Sequence, residues 1–303
     1  MLGAFAQAFR TPDLRRKLLF TMGIVAIFRL GSFIPTPGVD YVNVKQCVAA
    51  QDNSVLGLIN LFSGGAMLQL SVFALGIMPY ITASIIVQLL RVVIPHFETL
   101  YKEGQAGQAK LTQYTRYLTI ALALLQSTTL VTVARSGQLF GTTSIASCNA
   151  LLTNDAWWAQ LLMIITLTAG TGLIMWFAEL VTERGVGNGM SILIFTSIAA
   201  TFPAAMWSIA QARSFEVFLL VLAISIVVVA LVVFVEQSQR RIPVQYAKRM
   251  VGRRTLGGTN TYIPIKVNMA GVVPVIFASS LLYIPALIAQ FNQTPDAQGN
   301  VPG

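Results

Sequence analysis

The 303-residue chain is 55% hydrophobic and 10% charged, with 20 Lys/Arg against 11 Asp/Glu and a net charge of +9. Soluble domains carry about a quarter charged residues, so this composition, with a mean hydropathy of +0.70, excludes that class. What remains is a polytopic membrane protein, and two cysteines are too few for a disulfide scaffold.

A helix rises about 1.5 Å per residue across about 30 Å of hydrocarbon, so a span needs about 20 apolar residues. The first candidate, Leu18–Ile34, carries Arg29 near its far end, where a long side chain can snorkel to the interface. It lacks a small-residue cleavage site and ends in Pro35-Thr36-Pro37-Gly38, so no cleavable signal peptide is expected. An external segment, Pro35 to Asn53, follows.

Leu56 to Phe62 is apolar but too short to cross, and it runs into Ser63-Gly64-Gly65 before the second span, Val72–Ile94. Broken backbone at membrane depth is tolerated only where protein buries it or water wets it. An interior route, not only a lipid-facing surface, is therefore expected. Further spans are Tyr117–Ala134, Trp157–Ala178, Met190–Ile209, Phe215–Val235 and Val267–Phe291, making seven. Pro274 beside Gly271 predicts a kink in the last. Thr182 to Gly189 reads as a tight turn with three glycines.

With the N-terminus in the cytoplasm, four Lys/Arg fall on the N-terminal arm, four between spans two and three, one between four and five, and seven between six and seven. Only Lys45, Arg135 and Arg213 fall outside. The positive-inside rule assigns that orientation. Cys47 and Cys148 then share the external side, where a bridge can form, but two unpaired thiols are the favoured expectation. The loop from Glu236 to Lys266 alternates at Ile242–Tyr246 and Thr261–Ile265, predicting a short β-ribbon with Arg253 to Gly258 at its tip. Topology, anionic lipid and an acidic partner such as ribosomal RNA are all readings of its seven cations.

Catalytic chemistry is absent from the pattern. The single histidine, His96, allows no zinc-protease motif and no Ser–His dyad, and there is no Walker A or dinucleotide fingerprint. Neither metal, cofactor nor catalytic residue is expected. A secondary transporter also uses broken helices, but it needs converging polar groups at mid-membrane. Only a dispersed set is found, with Thr82, Ser84, Gln126, Ser127 and Asn268, whose ordinary role is to hydrogen-bond helix to helix. Ile77 and Ile81 stand four apart, as do Met190 and Ile194; such residues usually touch lipid or neighbouring helices.

Asn60-Leu61-Phe62-Ser63-Gly64-Gly65-Ala66 followed by Phe73 to Ile81 resembles the SecY family, the central subunits of Sec protein-conducting channels. Phe28 to Pro35, Gln113 to Tyr117, Glu183 to Gly189, Gln239 to Pro243 with Tyr246 to Arg249, and Lys266 to Val272 extend the likeness, in order, across nearly the whole chain. The resemblance implies an all-α membrane bundle of seven transmembrane helices plus a half-helix plug, part of a ten-helix channel with two inverted halves. Residues 1–210 would hold helices one to five with the plug at 56–70, and 211–303 helices six and seven with the basic loop 236–266. It implies that Asn60, Phe62, Ser63, Gly64 and Gly65 belong to the plug, and that Ile77, Ile81, Met190, Ile194 and Ile276 form an aliphatic pore ring. It implies a lateral gate at Thr82, Gln126 and Asn268, and docking of the ribosome or the SecA motor at Arg240, Arg241, Lys248, Arg249, Arg253 and Arg254. Expected partners are SecE and SecG subunits, the SecA ATPase, the ribosome, unfolded preproteins with their signal peptides, and membrane lipids. The expected site is the inner (plasma) membrane, with a cytoplasmic N-terminus and no enzymatic activity.

Overall fold

The computed structural model describes residues 11–49, 63–135, 152, 156–212, 215–244, 249–251, 254–256, 261–269, 271 and 278. These fall into two compact units that divide between Ala204 and Ala205.

The first unit is helical. Helix α1, Pro12–Gly31, opens with Pro12, whose missing N–H costs nothing in the first turn, and is followed by the short α2, Tyr41–Ala49. Helix α3, Met78–Val93, is joined at Ile94 to α4, Pro95–Lys102, with a bend of 101°. Pro95 cannot donate into the preceding ladder, so the helix breaks there. Helices α5, Gln105–Arg135, and α6, Trp157–Arg184, are the longest. Helix α7, Gly189–Ala212, follows a tight turn, and its residues from Ala205 on belong to the second unit. That turn is docked on α1, where the Val186 N–H donates to Thr21 Oγ1 at 3.3 Å, and Asn188 Oδ1 caps α7 through the Met190 N–H at 3.0 Å.

Helices α3, α5 and α6 pack in succession, with α1 against α6. One core cluster joins Val44 and Cys47 of α2 to Met67, Leu68, Leu70 and Ala74, and to residues of α5 and α6 such as Leu130 and Leu167. A smaller one, Val87, Leu100 and Leu111, seats the bent α4 against α3 and α5.

The second unit holds helix α8, Phe215–Gln237, and two antiparallel ribbons. Strand β1, Gln239–Val244, pairs with β4, Thr261–Lys266, and β2, Arg249–Val251, pairs with β3, Arg254–Leu256. The ribbon expected from alternation is present. Its tip differs, because Arg254–Leu256 is strand and only Gly252 and Arg253 separate the paired Val251 and Arg254.

Among the described residues, α5 to α8 are long and apolar enough to cross a membrane, and α3 with α4 qualifies as a bent pair. Three expectations need correction. The first span ends at Gly31, not Ile34, because the Ser32 and Phe33 amides close back onto Phe28 and Leu30. The second begins as helix at Met78, not Val72, because its preceding backbone bonds elsewhere. Cys47 is in a disulfide rather than free, and the sequence has one other cysteine, Cys148, which lies outside the described residues. An isolated antiparallel bridge joins Val39 to Leu152. Apart from its first residues, the seventh span also lies outside the described residues.

Candidate functional site

Residues 64–77 are a run of turns buried among helices, interrupted by one bridge at Ser71. A backbone removed from water must find partners for its N–H and C=O groups. Here turns within the run supply several, such as the Ser71 N–H to the Ala66 carbonyl, and the segment after α1 supplies others. The Thr36 N–H and Oγ1 both donate to the Leu70 carbonyl, at 3.0 and 2.7 Å, and the Val72 N–H donates to the Ile34 carbonyl at 2.9 Å. Leu70 is held at φ +47, a conformation that costs a non-glycine residue about 1–2 kcal/mol. Its fully buried side chain and doubly bonded carbonyl offset that cost.

Packing fixes the same run. Phe73 stacks on Phe28 with ring centroids 5.8 Å apart. Gly170 lets α6 approach the Val72 carbonyl so closely that a Cβ there would collide with it. The Pro35-Thr36 motif, which the sequence presents only as the end of a span, is thus the support of the irregular segment.

At the start of that run, Ser63 is buried and its Oγ accepts the Met67 N–H at 3.1 Å. Gly64 (φ +68) and Gly65 (φ +89) both take left-handed backbone, which glycine adopts without Cβ strain. Arg29 does not follow the snorkelling expectation. Its Nη1 donates to the Gly64 carbonyl at 2.7 Å, and its guanidinium carbon sits 4.7 Å from the Phe33 ring centre. Asn60 and Phe62 lie outside the described residues.

Ile77 and Ile81 are buried at 2% and 6% exposure, and the Ile81 N–H donates to the Ile77 carbonyl, so Ile77 caps α3 rather than lying within it. Met190 and Ile194 are half-buried on the first turns of α7. Ile276 lies outside the described residues. Thr82 donates to its own helix, at the Met78 carbonyl, 3.0 Å away, and Gln126 is half-buried on α5. Ser127 meets Thr168 of α6 at 3.2 Å, the helix-to-helix role expected of such polar groups. Asn268 belongs to the second unit, where its Nδ2 donates to Glu236 at 3.2 Å and its Oδ1 accepts the Gly271 N–H.

On the ribbon, Arg240 and Arg241 are exposed, and Arg241 lies 4.8 Å over the Tyr262 ring, its cross-strand neighbour but one. Arg249 and Arg254 are on the paired β2 and β3, while Lys248 and Arg253 lie outside the described residues. One pair has no signature in the sequence. Arg116 of α5 grips Glu179 of α6 with two hydrogen bonds, at 2.9 and 2.7 Å. Run length alone makes each of them a helix-end charge set by topology. On α4, exposed Glu98 bonds Lys102 at 2.7 Å, which holds its carboxyl below the usual range. Among the described residues no cluster of His, Cys, Asp and Glu could hold a metal.

The SecY family profile matches residues 71–301. SecY translocase subunits from Streptomyces scabiei and Streptomyces coelicolor are 62% and 63% identical over 298 and 300 residues. Those alignments take in 96% and 97% of this chain. The chain belongs to the SecY family. The Micrococcus luteus translocase subunit SecY is 57% identical over the whole chain. This chain spans 68–69% of the length of these SecY subunits. A solved protein-conducting channel covers 91% of it at a TM-score of 0.59 and 18% identity, and 58% of that structure is matched. Sec61 of a canine ribosome–channel complex gives 0.58, also at 18% identity. A SecY structure described by its plug domain, which stabilises the closed state and keeps a membrane seal, gives 0.54 at 20%. The all-α membrane fold of SecY and Sec61 is therefore the fold of this chain.

Proposed function

We propose that this chain forms part of a passive conduit that moves unfolded polypeptides across the membrane and releases signal and transmembrane helices sideways into it. The observation that carries the proposal is the buried, non-helical backbone from Gly64 to Ile77, hydrogen-bonded to the Ile34–Thr36 segment rather than within a helix. In a bilayer such backbone is tolerated only inside protein or beside a wetted passage, and family membership supports the passage.

In this scheme residues 1–210 and 211–303 are parts of two halves. Asn60, Phe62, Ser63, Gly64 and Gly65 act as a movable plug, and Ile77, Ile81, Met190, Ile194 and Ile276 form the constriction. Aliphatic side chains block ions by dewetting, yet they yield around a passing chain because they offer it nothing to bind. Met190 softens the ring, since an unbranched thioether adapts more readily than a β-branched side chain. Thr82, Gln126 and Asn268 line a lateral gate whose polar contacts, about 0.6–2 kcal/mol each, are weak enough to part.

Arg240, Arg241, Lys248, Arg249, Arg253 and Arg254 dock a ribosome or the SecA ATPase, which supplies the energy, and SecE and SecG complete the assembly. The chain itself performs no catalysis. It sits in the inner membrane with its N-terminus in the cytoplasm, in keeping with the basic ribbon that follows α8.

The test is the full-length protein reconstituted in vesicles. Replacing Ile77, Ile81 and Ile194 together by Ser should raise resting ion conductance while preprotein transport continues. Unchanged conductance would remove the constriction from these residues.

A further inference from the structure

Arg29 lies in the last turn of α1, and among the described residues it has no carboxylate partner. A charge there without an acid beside it calls for a different account. We propose that Arg29 is a latch: a positioning residue whose guanidinium holds the Ser63-Gly64-Gly65 break closed and sets how readily that segment moves. The proposal rests on the channel reading above.

Three contacts carry it. The guanidinium donates to the Gly64 carbonyl at 2.7 Å and lies against the Phe33 ring, so one cation has both an acceptor and a face to rest on. Gly64 is also pressed from the other side. A Cβ built on it would stand 3.2 Å from the Ser197 Cα of α7 and 3.4 Å from Arg29 Nη1. The break is thus held between α1 and α7 at the residue whose left-handed backbone permits the turn.

A charged donor on a carbonyl forms a stronger bond than a neutral pair, more so where water is scarce. The latch also has a second resting place. Arg29 is within a turn of the end of α1, so on release its long side chain can reach the interface and its water. Two positions for one cation, one bonded to the break and one solvated, make a switch rather than a permanent brace.

The experiment uses the full-length channel in proteoliposomes, with three readings: resting ion conductance, transport of a preprotein with an intact signal, and transport of one whose signal is defective. Arg29→Met keeps the apolar stem and removes the donors. It should raise resting conductance roughly tenfold or more, a decade being about 1.4 kcal/mol. It should also admit the signal-defective preprotein and leave the intact one unimpaired. Arg29→Lys, which keeps a cationic donor, should fall closer to the wild type. Gly64→Ala pushes on both sides of the clamp and should leak by itself, and the double variant should leak no more than the leakier single one.

Wild-type conductance and wild-type signal dependence in Arg29→Met, in a channel that still transports, would overturn the latch and leave the channel reading standing. Strictly additive leaks in the double variant would overturn it as well. If Arg29→Met does not yield folded protein, Arg29→Lys and Gly64→Ala decide, and wild-type conductance in Gly64→Ala counts against the latch. A wild-type protein that neither conducts nor transports would instead remove the channel reading.

Discussion

Breaking the Arg116–Glu179 pair tests whether α5 and α6 are braced where these two side chains meet. The two side chains meet through parallel bonds of 2.9 and 2.7 Å, the bidentate geometry that suits a guanidinium to a carboxylate. With charge centres about 4 Å apart, the gross attraction is about 4 kcal/mol at an effective dielectric constant of 20. Much of that is lost to solvent, because the Arg116 side chain is 47% exposed and only Glu179, at 15%, is well covered. Exposed pairs yield about 0.2–1 kcal/mol, and pairs that are broken when buried cost about 3–5 kcal/mol. A coupling of about 1–2 kcal/mol therefore follows for this half-covered, bidentate case.

The measurement is a double-mutant cycle on the purified full-length protein. Arg116→Gln, Glu179→Gln and the double variant are compared by thermal unfolding in detergent, at low and high salt. Each single variant should destabilise, the double should cost less than their sum, and the coupling should shrink as salt shortens the screening length from about 10 Å to about 3 Å. The charge swap Arg116→Glu with Glu179→Arg should recover part of the loss. A coupling below about 0.3 kcal/mol, indistinguishable from independent sites, would refute the brace.

Two further outcomes concern the proposed gate and docking surface. Linking Thr82→Cys to Asn268→Cys with a short reagent should block sideways release of signal helices while leaving ion exclusion intact; unimpeded release would exclude these residues from a gate. Arg253→Glu with Arg254→Glu should weaken ribosome binding and flatten its salt dependence, by roughly 0.7–0.9 in log–log slope for every phosphate that is no longer neutralised. An unaltered slope would mean that these residues touch no phosphate.

Much of the fold is legible because it follows from run length and turn chemistry. The α6–α7 turn shows in three glycines and the capping Asn188, and the β1–β4 pairing shows in the alternation about Ile242 and Ile263. The start of α3 is not legible from hydropathy. That scale reports the surroundings of a residue and not its backbone, so the buried turns at Val72–Ile77 look like helix. Met78-Pro79 carries the missing signal, a proline in the first helical turn. Arg29 escapes sequence reasoning for a related cause. Its partner is a backbone carbonyl 35 residues away, and a carbonyl leaves no trace in sequence. The Cys47 disulfide likewise depends on a proximity made in three dimensions, which composition does not contain.

The bonds from Ile34 and Thr36 pin the irregular segment at Leu70–Val72, and the Arg29 bond holds it at Gly64. In the proposed scheme residues 66–69, between the plug residues Ser63–Gly65 and that anchor, make a leash. Fully drawn out, four residues reach about 14 Å, about half the thickness of the hydrocarbon core. A plug on that leash would move aside without leaving the channel, and its return would be a local search rather than a bimolecular encounter.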